Sequence, residues 1–186
     1  MALVDDDFDM LARRARQGDD HAFAEMVTPL VPKLRGYLRA LAGDELDDLV
    51  DEVLFTVYRR LDHFDGTEAG FRSWVFAIAH NLAIDFYRRR RRRPEPVDVS
   101  DPKYVAVLGV LEGVDAIVVD QTVEHRLREV LDHLPDAQRR VLLLRTVADL
   151  SVDETAAVIG RSAGAVRVLQ HRALSALRRR ITIDPR

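Results

Sequence analysis

Apolar positions recur at helical spacing along most of this chain of 186 residues. The i, i+3, i+4, i+7 rhythm is that of helices that each bury one face. Phe23, Met26, Val27, Leu30, Val31, Leu34, Leu38 and Leu41 form a first stripe, which Gly43 closes as a C-terminal stop. Pro29 and Pro32 remove backbone donors inside that stripe, so the helix is expected to bend or split there. Leu46, Leu49, Val50, Val53, Leu54, Val57, Tyr58 and Leu61 form a second stripe, and Phe71, Trp74, Val75, Ile78, Ala79, Leu82 and Phe86 a third. The break FDGTEAG separates these two, and the third helix is free to run on into a block of arginines.

The rhythm fails over residues 94–120, which open with Pro-Glu-Pro and contain DVSDPK and two glycines. This stretch reads as a linker, although YVAVLGVL and VDAIVV are apolar patches within it. Helical spacing returns at Val123, Leu127, Val130, Leu131 and Leu134, and Pro135 is placed as the first residue of the next helix. That helix is expected to bury Val141, Leu142, Leu144 and Val147. Ser151 followed three residues later by Glu154 is a capping box. It starts a short helix, Val152 to Ile159, which Gly160 ends and after which Ser162 caps a longer one. The longer helix turns Ala165, Val166, Leu169, Ala173, Leu174 and Leu177 inward and Arg167, Gln170, His171 and Arg172 outward. A short helix, a glycine turn and a longer helix with a basic outer face is the helix-turn-helix plan. Arginine suits guanine and glutamine suits adenine in the major groove. The expected architecture is all-α: two small helical domains, 1–93 and 121–186, joined by the linker 94–120, the C-terminal one a helix-turn-helix.

Composition narrows the class. Hydrophobic residues make up 47% and charged residues 32%, a globular balance, and aromatics at 6% favour helices over a β-sandwich. There is no cysteine, so no disulfide framework and no thiolate metal site is expected. The histidines His21, His63, His80, His125, His133 and His171 show no HExxH or other ligand spacing, and no Ser/His/Asp arrangement is visible. No catalytic residue, metal or cofactor is therefore expected. The acidic start MALVDDDFDM lacks the pattern of a signal peptide, and no apolar run approaches the roughly 20 residues that span a bilayer. A cytoplasmic location without membrane insertion is the expectation.

Charge changes the picture through its placement. The formal net charge is −3, yet FYRRRRRRPEP carries six arginines in a row and basic residues return over 161–180. Acids crowd 44–52 (Asp44, Glu45, Asp47, Asp48, Asp51, Glu52). Such segregation suits a protein with one basic and one acidic partner.

The order of these segments resembles the extracytoplasmic-function group of bacterial sigma-70 family sigma factors. The matching pieces are DDLVDEVLFTVYRRLDHF, FRSWVFAIAHNLAIDFYRRRRRR and LPDAQRRVLLLRTVADLSVDETAAVIGRSAGAVRVLQHRAL, which cover most of residues 20–180. The resemblance implies a dissociable specificity subunit of RNA polymerase, not itself an enzyme. Its partners would be core RNA polymerase and promoter DNA, both duplex and melted non-template strand, and it admits an anti-sigma factor. Asp47, Asp48, Asp51 and Glu52 would meet a basic coiled coil of core polymerase through charge-assisted hydrogen bonds. Acids at a helix start also favour the macrodipole, which accounts for Asp47 and Asp48 without a partner. The loop FDGTEAGF would capture a flipped base of the minus-ten element. Phe64 there either stacks or lines the pocket, or anchors the core at a helix end. Asn81 would hydrogen-bond the strand, and Trp74, which stands where the family commonly has tryptophan, fits the apolar stripe and is expected to serve the core first and the DNA face second.

Arg88, Arg89 and Arg90 head the arginine run, which would meet phosphates; six consecutive residues encircle a helix, so two or three are expected to face DNA. Ser162, Arg167, Val168, His171 and Arg172 match the positions that read the minus-thirty-five element. Val168 and Leu169 stand where the family often has serine and arginine, and Val168 offers a contact to a thymine methyl. The apolar linker would thread the polymerase cleft. A free-standing helix-turn-helix regulator is the competing class, and it has no need of the acidic face at 44–52.

Overall fold

The computed structural model describes residues 5–42, 46–90, 131 and 133–183. Every regular element among them is helical. The chain divides into two compact units, Met1–Ala116 and Ile117–Arg186.

In the first unit, α1 (Asp5–Arg16) and α2 (Asp20–Val27) form a hairpin. Its corner is Gly18, at φ +88°, followed by Asp19. The Asp19 carboxylate accepts the Ala22 N–H at 3.1 Å and caps α2. Arg14 returns to the same carboxylate at 2.7 Å. The Ala22 hydrogen bond and then Arg14 hold the Asp19 carboxyl below its ordinary value. The sequence reading left α1 out, because its stripe starts at Phe23; yet Phe8, Leu11, Ala12 and Ala15 are buried at the same i, i+3, i+4, i+7 spacing.

The proline-bearing stripe splits as expected. α2 ends at Val27, a turn follows, and α3 runs Val31–Ala42 with Pro32 in its first turn, where its missing donor costs nothing. Gly43 lies outside the described residues. α4 (Leu46–Arg60) ends in one 3-10 turn, Leu61–His63, and α5 spans Glu68–Arg90. α5 packs against both α3 and α4, and it buries Phe71, Val75, Phe76, Ile78, Ala79, His80 and Ala83. Phe76 and His80 lie outside the predicted stripe. They face Tyr37 of α3, whose ring meets Phe76 edge-on at 5.6 Å and whose hydroxyl lies 2.9 Å from His80 Nδ1. A buried pair of this kind satisfies polar atoms that would otherwise be stranded in the core.

In the second unit, α6 (Asp136–Thr146) buries Val141, Leu142, Leu143 and Leu144, while Val147 is half-buried. Pro135 caps this helix from outside its first turn, with ψ 141°, and its carbonyl accepts from the Gln138 and Arg139 N–H groups. Of the predicted helix upstream of it, Leu131 is described and is helical, while Leu134 is buried in the bend that follows; the linker 94–120 lies outside the described residues.

α7 (Val152–Ile159) carries the complete capping box: Glu154 N–H donates to Ser151 Oγ at 3.1 Å, and Ser151 N–H to Glu154 Oε2 at 2.6 Å. Gly160 adopts φ +65° and ends the helix. Its N–H and that of Arg161 both return to the Ala156 carbonyl. α8 (Ala163–Ile183) follows, with Ser162 Oγ accepting the Ala165 N–H at 3.2 Å. Val141, Ala156 and Val166 join the three helices, with Val152, Ile159 and Leu169 packed around them.

Candidate functional site

Three surfaces carry the residues singled out in the sequence. The first is the N-terminal half of α4. Asp47 and Asp48 are exposed, but Asp51 and Glu52 are half-buried, lower on the helix than an outward-facing reading places them. Asp47 is bound within the chain by Arg35, at 3.0 Å. Burial pushes the Asp51 carboxyl above its usual range; Arg35 opposes this, and the neighbouring Asp47 and Asp48 carboxylates add to it. At Asp51 the fold therefore disfavours the charged form.

The second surface surrounds the α4–α5 connection. Phe64 is 8% exposed. Its ring packs on Phe71 at 5.3 Å and Trp74 at 5.2 Å, and meets Phe8 edge-on at 6.4 Å. A side chain at Gly66 would come within 3.1 Å of the Phe64 ring tip, so glycine there lets the loop close over it. The loop residues open to solvent are Asp65, Gly66 and Thr67. Thr67 also sets the start of α5: its Oγ1 accepts from Gly70 N–H at 3.3 Å, and its carbonyl from Phe71 N–H at 2.8 Å.

Trp74 is half-buried, and it lines an open groove of about 750 Å³ with Glu52, Phe55, Thr56, Arg59, Arg60 and His63. Arg59 lies 5.5 Å over the Phe55 ring. Arg59, Arg60 and His63 bring positive charge beside an aromatic face; the sequence reading missed them because it followed only the apolar stripe of α4. Asn81 is exposed on α5. The helix reaches Arg90, but the side chains of Arg88, Arg89 and Arg90 lie outside those described, as do Arg91–Arg93.

The third surface is α8. Arg167, Val168, His171 and Arg172 are all exposed, Val168 at 49%. An isolated valine left in water on a basic face suits an apolar contact with a partner. Ser162 is exposed and occupied by its cap. Gln170 differs from the outward reading: it is half-buried, and its Oε1 accepts from Arg145 Nε at 3.4 Å. Arg145 also donates to the Leu150 carbonyl, so one side chain ties the connection after α6 to α8. Among the described residues no group of histidines and carboxylates is arranged to hold a metal.

The family models for Sigma-70 region 2 and Sigma-70 region 4 match residues 26–93 and 124–177. The ECF RNA polymerase sigma factor SigD of Mycobacterium tuberculosis is 30% identical over 185 residues, 96% of this chain and 85% of its own. ShbA of Streptomyces griseus, another sigma factor of that group, is 33% identical over 175 residues, 90% and 92% of the two chains. The chain belongs to the extracytoplasmic-function group of RNA polymerase sigma factors.

Solved structures agree at the level of fold. CnrH in complex with the cytosolic domain of CnrY aligns with TM-score 0.67 and 24% identity over 94% of this chain and 97% of that one. RpoE of Bartonella quintana, bound to the anti-sigma factor NepR, aligns with TM-score 0.63 and 20% identity over 87% and 98%. As a sigma factor, the protein directs promoter-specific transcription through core RNA polymerase and promoter DNA. In this sigma factor the region 2 match ends at the arginine run, and the region 4 match contains α7, the turn and α8 as far as residue 177. No helix among the described residues is long and apolar enough to cross a membrane.

Proposed function

We propose that three surfaces divide the work of initiation. The α4 face of Asp47, Asp48, Asp51 and Glu52 docks on a basic element of core polymerase. The α4–α5 loop, with Trp74, Asn81 and Arg88–Arg90, holds the melted minus-ten strand. The α8 face of Arg167, Val168, His171 and Arg172 reads the minus-thirty-five duplex, with Ser162 at its leading edge. Phe64 acts from beneath the loop, shaping it, while Asp65 to Thr67 meet the extruded base.

The carrying observation is the segregation of charge. A half-buried acidic face belongs to one unit, and an exposed basic helix with one bare valine belongs to the other. Carboxylates need a cationic partner and arginines a phosphate or guanine edge, so the two faces call for two partners. The protein itself performs no bond chemistry and works in the bacterial cytoplasm. An anti-sigma factor that covers one of these faces would hold it inactive.

The domains are proposed as 1–93, for polymerase and minus-ten contacts, and 121–186, for the minus-thirty-five element. The segment 94–120 joins them and threads the polymerase cleft. Run-off transcription with core polymerase and a randomised promoter library tests the reading. Enriched promoters should share two elements, one upstream duplex block and one block that melts. A chain that binds duplex DNA alone, as a dimer, and yields no transcript with core polymerase would be a free-standing regulator instead.

A further inference from the structure

We propose that Arg16 is a positioning residue for base capture: from the end of α1 it fixes the loop that receives the extruded minus-ten base. The inference rests on the loop's role proposed above. Arg16 is the last residue of α1, 48 positions from the loop it serves. Its Nη2 donates to the Phe64 carbonyl at 2.5 Å, and its Nε approaches the Leu61 carbonyl at 3.4 Å. Leu61 opens the 3-10 turn Leu61–His63 that ends α4, and Phe64 directly follows it. Carbonyls at a helix end have acceptor capacity that the helix itself does not fill, and a cation there also meets the negative end of the helix dipole. Phe64 N–H already closes on Leu61 O at 3.0 Å, so the guanidinium adds a second, charged tie to the same turn.

The side chain of Phe64 is held from α1 as well. Phe8, two turns before Arg16, meets its ring edge-on at 6.4 Å and lies tilted against that of Phe71 at 5.5 Å. α1 thus grips both the main chain and the ring of the residue from which Asp65, Gly66 and Thr67 depart. Only four residues, Phe64 to Thr67, separate the 3-10 turn from α5, so a shift at Phe64 passes to the exposed tip with little slack to absorb it. A pocket for an extruded base gains affinity from being ordered before the base arrives. A planar fork that engages two carbonyls restrains a turn in a way that a single ammonium does not.

The test is a cycle between protein and DNA. Full-length wild type, Arg16→Ala and Arg16→Lys are each assembled with core polymerase. They are titrated with a single-stranded minus-ten oligonucleotide and with the same strand made abasic at the captured position. Wild type should lose on the order of tenfold with the abasic strand, the weight of one stacked base. Arg16→Ala should bind the intact strand about as weakly as wild type binds the abasic one, and should show almost no further loss with the abasic strand. Arg16→Lys should fall between the two.

A role confined to stability would lower melting temperature or polymerase affinity and leave the intact-to-abasic ratio unchanged; that result in either variant overturns the proposal. Trp74 is the single tryptophan of the chain and packs on Phe64, so its emission gives a second readout. A red shift in Arg16→Ala is expected, and unaltered emission and quenching would count against loop movement. If wild type itself ignores the abasic change, base capture by this loop falls, and the role of Arg16 falls with it. If wild type discriminates and the variants discriminate equally, only the role of Arg16 falls.

Discussion

The long helices of the two units, α5 and α8, have similar lengths and opposite designs. α5 is 23 residues long and is enclosed on two sides, by α3 and α4. It buries four aromatic or branched residues and a histidine pair partner along its first four turns. α8 is 21 residues long, and of its described side chains only Val166 and Ala173 are fully buried. A helix walled in on two sides has few positions left for a partner, so on α5 recognition falls to Asn81, the half-buried Trp74 and the exposed loop before it. A helix that rests on one stripe presents the rest of its circumference, which is what a recognition helix in a major groove needs.

The most damaging way to probe the contrast is to truncate each core. Phe71→Ala removes a ring that touches Phe8, Phe64 and Trp74, and should cost about 3–5 kcal/mol by chemical denaturation of the full chain. Leu174→Ala, at a half-buried site on α8, should cost about 1–2 kcal/mol because only part of its side chain leaves water on folding. Equal costs would mean that α8 is held as tightly as α5.

Next in size is recognition. Arg167→Ala is expected to cost about 1–3 kcal/mol at one upstream promoter position while leaving other positions unchanged. Selection from a randomised minus-thirty-five element checks it, and a uniform loss across all sequences would make Arg167 a phosphate contact instead. Ser151→Ala removes the cap that orients α7 under α8, and should lower the stability of the second unit by about 1 kcal/mol. Thermal unfolding of the full chain, followed by hydrogen exchange at Thr155 and Ala156, measures this.

The smallest effect concerns Asp51. Its carboxyl titrates above the unfolded value, so the native state binds the proton more readily. Stability is therefore greatest below the unfolded value and falls as pH rises through the folded one. Asp51→Asn should flatten that fall, make the protein slightly more stable at neutral pH and weaken its hold on core polymerase. If the variant is less stable at neutral pH, the carboxylate is supported by the fold rather than kept against it.

Much of this was legible along the chain. The prolines at 29 and 32 do split their stripe, and the box at Ser151 and Glu154, the left-handed Gly160 and the cap at Ser162 all stand where local chemistry puts them. These features depend on neighbours within four residues, and such interactions are written in sequence spacing. Other features were not legible. α1 escaped because its stripe is short and contains two alanines, though Phe8 and Leu11 were the signal. The outward reading of Gln170 failed because Arg145, 25 residues earlier, takes its amide.

What sequence alone determined, then, is the set of helices from α2 onward, the caps at Ser151, Gly160 and Ser162 and the segregation of acid from base, since periodicity and charge order survive any fold. Tertiary structure alone decided that Phe64 lies under the loop, that Tyr37 meets His80, and that Arg16 reaches the carbonyls of Leu61 and Phe64. The Tyr37–His80 and Arg16 contacts join residues more than 40 positions apart. Local propensity carries no information about such a pairing; it is selected only when packed helices bring the groups within hydrogen-bonding distance and remove the water that would otherwise satisfy them.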